Sequence, residues 1–295
     1  MERVLITGIT GYIGSHLAKV LLPECEIYGL AREPLNAKYI SEIADKIRML
    51  PYDGSYESVE SALRESRPDV VYHLATHYTG AHNAAITPAM IAANIVFGGY
   101  LLEAMCAHGC GALVYTSTVT AHYQEEAYRP LNLYAATKQA LSDLIAYYTD
   151  AGLLRAVTLV LSDTYGPGDH RPKILNLVRQ AAEKGEHIAL SDGEQDYDVV
   201  HIDDVVRALC LAGERALTME RSCETYQVTA ERPLTLRETV ETMLRVNGLA
   251  LNAGWGERPT AEREIRKAIR IYPALPGWRQ EVFLEVGLRS FANER

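Results

Sequence analysis

Short apolar runs alternate with longer amphipathic stretches through the first half of the chain. Residues 3–7 (RVLIT) are aliphatic and end at a glycine, and residues 11–22 carry helical spacing. Further short runs at 26–30, 47–50, 69–74, 112–116 and 156–161 predict five more strands. Helical patterns at 55–66, 88–108 and 132–150 lie between them. This alternation predicts an α/β fold, a doubly wound parallel sheet covered on both faces. The unbroken apolar run 157–161 suits a strand buried on both sides. After Tyr165 the rhythm changes: a Gly-Pro-Gly-Asp turn at 166–169, a helix over 173–184, a polar loop 191–197, a strand 198–202 and a helix opening at Asp203-Asp204. A strand at 225–229 and a helix at 236–246 follow among Pro/Gly-rich loops. The expected organisation is a sheet domain of residues 1–165, rejoined by 198–220, and a smaller C-terminal α/β lobe from 166–197 and 221–276.

Composition narrows the function classes. With 29 Lys and Arg against 38 Asp and Glu, the 295-residue chain has a formal charge of −9, which disfavours a nucleic-acid partner. Hydrophobic residues at 48% and charged ones at 23% fit a globular protein rather than a disordered one. No apolar run reaches the roughly 18 residues of a membrane span, and the first residues read as a strand and turn rather than a signal peptide. The five cysteines (Cys25, Cys106, Cys110, Cys210, Cys223) show no paired spacing, and the histidines no metal-ligand spacing. We expect a cytoplasmic protein with reduced cysteines, no membrane partner and no metal.

Candidate chemistry begins at residues 7–14, Thr-Gly-Ile-Thr-Gly-Tyr-Ile-Gly, between the first strand and first helix. Gly8 and Gly11 would let the turn tighten and the backbone approach a pyrophosphate. Gly14 would let helix and strand pack closely. This is a Rossmann fingerprint in its required context. At the end of the second strand an acidic residue would bind ribose hydroxyls, whereas an arginine accommodates a 2′-phosphate. Ala31 and Arg32 occupy that place, favouring NADP (NADPH) over NAD, although Glu33 follows.

Tyr134 and Lys138 stand one helical turn apart at the start of the helix after the fifth strand, and Thr116-Ser117-Thr118 ends that strand. These place a phenol, an ammonium and a hydroxyl at the carboxyl edge of the sheet, where such folds bind ligands.

With these pieces, the chain resembles the extended short-chain dehydrogenase/reductases of the nucleotide-sugar epimerase/dehydratase group. The likeness rests on residues 7–14, Asp53, His73-Leu74-Ala75-Thr76, Asn94, residues 116–118, Tyr134 to Lys138, Tyr165 to Asp169, and 198–205 (DVVHIDDV), so it covers essentially the whole length. The resemblance implies that Gly8, Gly11 and Ile13 lie along the pyrophosphate, that Thr10 and Tyr12 are further cofactor contacts and that Asp53 contacts the adenine amino group. It places Leu74, Ala75, Thr76 and Asn94 around the ribose and nicotinamide, with Lys138 holding the ribose hydroxyls and lowering the Tyr134 pKa. Tyr134 would exchange a proton with the substrate oxygen as hydride moves. Thr118 would hydrogen-bond the same oxygen, with Ser117 the neighbouring alternative. The resemblance also implies a homodimer through the helices at 88–108 and 132–150.

Departures from the family pattern sort its branches. Val119-Thr120 follow Thr118 where sugar 4,6-dehydratases carry Asp-Glu, and no cysteine stands where the epimerase-reductases need one. The short stretch from Thr118 to Tyr134, with residues 70–79 and 163–169, looks most like the CDP-abequose and CDP-paratose synthase branch of 4-ketoreductases. The expected activity is NADPH-dependent reduction of a nucleotide-linked 4-keto-6-deoxy sugar. An NAD-dependent 4-epimerase is the rival, and a catalytically silent nucleotide-binding member a further alternative. Tyr197 replaces the family's diphosphate arginine and Val160 its sixth-strand arginine. Substrate contacts are therefore expected from His77, Asp163, His170, Gln195, Arg258 and Arg263.

Overall fold

The computed structural model describes residues 1–33, 35, 37–220 and 222–292. Seven strands form one parallel sheet: β1 (Arg3–Thr7), β2 (Glu26–Ala31), β3 (Arg48–Pro51), β4 (Val70–His73), β5 (Ala112–Thr118), β6 (Arg155–Leu161) and β11 (Cys223–Val228). Their order across the sheet is β11-β6-β5-β4-β1-β2-β3. The order reverses between β1 and β4, which opens a crevice at their carboxyl ends. The helices are α1 (Tyr12–Leu21), α2 (Tyr56–Ser66), α3 (Thr87–Ile91), α4 (Phe97–Ala107), α5 (Leu133–Asp150) and α7 (Ile202–Thr218). Leu17, Ala18, Val205 and Leu209 of α1 and α7 fill one core with the inner faces of β1, β4, β5 and β6. Leu63, Leu101, Met105, Leu141 and Ile145 of α2, α4 and α5 fill the other. Both faces of the sheet are thus covered, as the apolar strands predict.

Two expectations shift. β11 falls within the stretch assigned to the lobe, yet it pairs with β6 along its full length and forms the outer strand of the large sheet. The helix expected over 88–108 is interrupted by a π-helical turn at Ala92–Val96, between α3 and α4. By length and composition Thr87–Ala107 could also cross a membrane, which the search for unbroken apolar runs missed. Met90, Phe97, Leu101, Leu102 and Met105 are buried against the protein interior, so it serves as a core helix.

The smaller lobe has its own core. It gathers Leu175 and Val178 of α6 (Ile174–Lys184), Leu236, Val240 and Met243 of α8 (Leu236–Asn247), and Leu288 and Phe291 of α9 (Leu284–Ala292). Three short strand pairs complete it: β7 (Asp163–Tyr165) with β10 (Val199–His201), β9 (Asp196–Tyr197) with β12 (Leu234–Thr235), and β8 (His187–Leu190) with β13 (Asn252–Trp255). The α8 terminus is set by a capping box of Thr235 and Glu238. Between β13 and α9 the chain runs as an irregular strap back across the sheet. Buried Gln227 receives N–H groups from Ile271 and Tyr272 and donates to the Ile269 carbonyl. Asp204 accepts the N–H groups of Glu281 and Val282, and its carbonyl accepts Trp278 Nε1–H.

Candidate active site

The turn after β1 is shaped by close backbone contact. Gly8 has a φ of +73°, and a Cβ there would lie 2.6 Å from the Ala75 nitrogen and 2.8 Å from the Leu74 carbonyl carbon. At Gly14 a Cβ would stand 2.3 Å from the Gly8 oxygen. Glycine is required at both because the ends of β1, α1 and β4 converge there. Gly11 caps α1 without a side-chain hydrogen bond, leaving first-turn N–H groups directed into the crevice. A dinucleotide pyrophosphate fits this cradle. The Tyr12 ring turns the other way, its hydroxyl donating to the Pro167 carbonyl at 2.9 Å, so only its backbone remains at the turn. Thr10 and Ile13 flank it, both partly exposed.

At the far end of the crevice, Arg32 is exposed just beyond Ala31, the last residue of β2. Its charge acts on Tyr52, the neighbour of Asp53. The Asp53 carboxylate accepts from the hydroxyl and N–H of Ser55 at 2.6 and 2.9 Å, which holds it below the usual carboxylate range. Arg32 and Asp53 therefore border the same end of the crevice.

Asn94, in the π-helical turn, is 2% exposed and fully engaged. Its Oδ1 accepts from the His77 N–H at 2.7 Å and the Thr76 hydroxyl at 3.1 Å. Its Nδ2 donates to the His77 carbonyl at 3.1 Å and to Thr137 Oγ1 at 2.9 Å. An amide offers two donors and two acceptor positions, and all four are used. These four bonds clamp the loop after β4 to α5. Thr137 in turn donates to the Tyr134 carbonyl, so the clamp reaches the Tyr134 turn.

Tyr134 is seated where Asn132 caps α5 by accepting from the Ala135 N–H. Burial pushes its phenol up to about 12, with a smaller lowering from a hydrogen bond to Thr76 and raising from Tyr78 and Asp163. The Tyr78 ring stands edge-on to it, centroids 4.9 Å apart. Lys138 is 3% exposed, and burial brings its amine down to about 7. Its Nζ lies over the Tyr115 ring, 4.3 Å from the centroid. The expected lowering of Tyr134 by Lys138 is not found, because the amine is turned to Tyr115 and does not figure among the charges acting on Tyr134. Strand β5 runs two residues further than expected and delivers Thr118 to the same corner. The Thr118 hydroxyl accepts from the Thr120 N–H at 3.2 Å and shares a 2.9 Å hydrogen bond with the Thr120 hydroxyl. When Thr120 donates, the Thr118 proton is free to be given elsewhere.

Beneath this corner lies His73. Thr7 Oγ1 accepts from the Ala75 N–H and lies 2.8 Å from His73 Nδ1. The other ring nitrogen, Nε2, is buried and without a partner. Burial, aided by the Lys138 charge, lowers His73 to about 3, so it is a neutral packing residue.

The lobe supplies the opposite wall. Asp163 pairs with Lys173 at 2.5 Å. Burial pushes its carboxyl up, but Lys173, Arg171 and a hydrogen bond from Tyr197 outweigh it and hold the group ionised. Asp163, expected as a substrate contact, therefore has its charge balanced by Lys173. Tyr197, standing where the family carries arginine, serves that carboxylate. Arg171 forms a two-pronged pair with buried Asp169 and stacks over Tyr12.

The remaining expected contacts are dispersed. His77 is held by Asn94 through its backbone, beside Tyr78. His170 is exposed and stacks on Tyr39. Arg258 is exposed, with its N–H bonded to the Leu190 carbonyl. Arg263 donates to the Pro130 carbonyl and lies over Tyr123, lining a surface groove of about 640 Å³ with Tyr128 and Arg129. Gln195 reaches Ser191 and Glu264. Sequence reasoning did not single out Tyr78, Lys173 or Thr137. Their roles depend on partners distant in sequence, and only Tyr78, an aromatic directly after a motif residue, carried a signal that could have been used.

Comparison with known proteins finds relatives over most of the chain. The model of the NAD dependent epimerase/dehydratase family matches residues 4–228. The CDP-abequose synthase of Yersinia pseudotuberculosis is 29% identical over 215 residues, 70% of this chain and 71% of that protein. The CDP-abequose synthase of Salmonella typhimurium is 25% identical over 239 residues, 80% and 78% of the two chains. The crystal structure of Thermus thermophilus UDP-glucose 4-epimerase complexed with NAD superposes with a TM-score of 0.84 at 25% identity, covering 99% and 98%.

Proposed function

The chain belongs to the NAD dependent epimerase/dehydratase family, and we propose that it is an NADPH-dependent reductase of a nucleotide-linked 4-keto-6-deoxy sugar. The observation that carries the reading is Tyr134, a buried phenol beside the Thr76 hydroxyl and the Tyr78 ring that can give its proton to a ketone oxygen; the CDP-abequose synthase relatives favour the reductive direction. When bound, NADPH supplies the hydride. Tyr134 Oη gives its proton to the C4 oxygen, and Thr118 Oγ1 hydrogen-bonds the same oxygen. Lys138 Nζ holds the ribose hydroxyls on the nicotinamide side. The backbone at Gly8, Thr10, Gly11, Tyr12 and Ile13 receives the pyrophosphate, Leu74, Ala75 and Thr76 flank the nicotinamide ribose, Asp53 meets adenine, and Arg32 meets the 2′-phosphate. The CDP-abequose synthase names of the curated relatives favour a CDP-linked sugar. Exposed Ile91, Val96 and Tyr147 on α3 to α5 support pairing of two copies through those helices.

The second reading is a nucleotide-sugar 4-epimerase using NAD, favoured by the Thermus thermophilus structure and its bound NAD. One experiment separates the two. The purified protein is denatured and its nucleotide identified, and NADPH oxidation is followed with CDP-4-keto-6-deoxyglucose generated from CDP-glucose. Consumption of NADPH by a protein that carries no tightly held NAD supports the reductase. Stoichiometric NAD that survives dialysis, with interconversion of sugar epimers, overturns it.

A further inference from the structure

Beneath α5 lies a buried tyrosine that the reaction does not use. Tyr115 is wholly buried in β5, directly across from His73 of β4, and the two rings lie near-parallel with centroids 5.8 Å apart. Its hydroxyl donates to the Lys138 carbonyl at 3.0 Å, and burial raises the phenol well above its ordinary value, so it stays a donor. That carbonyl also accepts from the Ser142 hydroxyl at 3.2 Å. The Tyr115 ring in turn carries the Lys138 amine on its face, Nζ 4.3 Å from the centroid. One side chain on the sheet thus touches a lysine of the helix at both its backbone and its amine. Lys138 is 3% exposed, and among the described residues no carboxylate charge acts on it. An ammonium out of water and without a counter-ion gives up its proton readily. The electron-rich face of Tyr115 is the attraction that offsets this loss.

Resting on the reading of Lys138 as the holder of the nicotinamide ribose, we propose that Tyr115 is the positioning residue of that lysine. Its hydroxyl fixes the turn of α5 that bears Lys138, and its ring face seats the ammonium and preserves the charge. The charge matters because an ammonium brings three donors to neighbouring hydroxyl groups, and a neutral amine brings fewer. Helical spacing puts Lys138 on the Tyr134 face of α5, and Tyr115 determines where its amine rests. The titratable groups facing this pair are His73 on β4 and Tyr134 on α5. His73 is neutral above about 3 and Tyr134 keeps its proton up to about 12. Neither changes charge around neutrality, so a titration there belongs to the amine.

The test reads the amine directly. Lysine labelled with carbon-13 at Cε is titrated by NMR in the full chain without nucleotide, and the Lys138 signal is assigned by its loss in Lys138→Met. The wild-type midpoint should lie at about 7. Tyr115→Phe keeps the ring and drops the hydroxyl, and should leave that midpoint within about 0.3 pH unit. A phenylalanine with three ring fluorines at the same position nearly keeps the shape but strips electron density from the ring face. The midpoint should then fall by at least about half a pH unit. A single ring fluorine, the smallest change in bulk, should give an intermediate fall, and it decides the matter if the trifluorinated protein does not fold. The Kd for NADPH, followed over the same pH range, should begin to rise at a correspondingly lower pH. A midpoint equal in the Tyr115→Phe and fluorinated proteins overturns the inference. A midpoint that moves while NADPH affinity stays fixed supports the seat and overturns the ribose reading of Lys138. The ketoreductase reading fails separately, by a wild type that shows no NADPH-dependent turnover.

Discussion

Replacing Asn94 by alanine tests whether this residue is a clamp or a ligand. The substitution deletes four hydrogen bonds at a position 2% exposed. At about 1 kcal/mol net each, the upper figure is about 4 kcal/mol. Thr76 is exposed and recovers water, and Thr137 keeps its bond to the Tyr134 carbonyl, so about 2–3 kcal/mol is expected. For a protein of 295 residues that corresponds to a fall in Tm of roughly 3–5 °C. Urea unfolding, NADPH titration and turnover are measured together. Stability should fall by that amount and kcat should drop, because α5 and the loop bearing Thr76 lose their tie, while the Kd for NADPH changes by less than about threefold. Asn94→Asp should be no better tolerated: it keeps both acceptors, loses both donors and buries a charge. A thirtyfold loss of NADPH affinity with stability unchanged would refute the clamp and restore Asn94 as a direct cofactor contact.

Tyr134→Phe should lower kcat by at least about a thousandfold with little change in NADPH binding, and undiminished turnover would remove the acid assignment. His73 gives a pH dependence of stability. Its folded pKa of about 3 lies below the 6.5 of an unfolded histidine, so between these values the unfolded chain binds more protons. Its contribution is complete above about pH 6.5 and is lost as pH falls toward 3; His73→Gln should flatten the urea midpoint over that window. Replacing Ala31-Arg32 by Asp-Ile should move the preference from NADPH to NADH by at least about tenfold in kcat/KM, and an unmoved ratio would show that Arg32 does not read the 2′-phosphate.

The alternation of apolar runs and amphipathic stretches was sufficient to foresee the sheet, its helices and the glycine turn, because each depends on neighbours a few residues away. The placement of Tyr134 and Lys138 was legible for the same reason, being one turn of one helix. The Asn94 clamp was not, since its partners lie 17 and 43 residues along the chain. Nor were β7, β9 and β12, which span two or three residues and carry no period. The direction of Lys138 was misjudged because spacing on a helix gives the face and not the rotamer, and Tyr115 attracts the amine from another element. Tyr197 was seen as a lost arginine, and only the structure shows the carboxylate it serves.

The strap has a consequence for the order in which the protein can be made. Asp204 is wholly buried at the start of α7, yet the N–H groups of Glu281 and Val282 that satisfy it are 77 and 78 residues downstream. Gln227 likewise waits for Ile269, Ile271 and Tyr272. On a translating ribosome the sheet can assemble through β6 while the seat of α7 still holds a carboxylate lacking its backbone partners. Closure of the crevice wall is therefore a late event, and a nascent chain stalled near residue 260 should display a sheet that forms without its final latch.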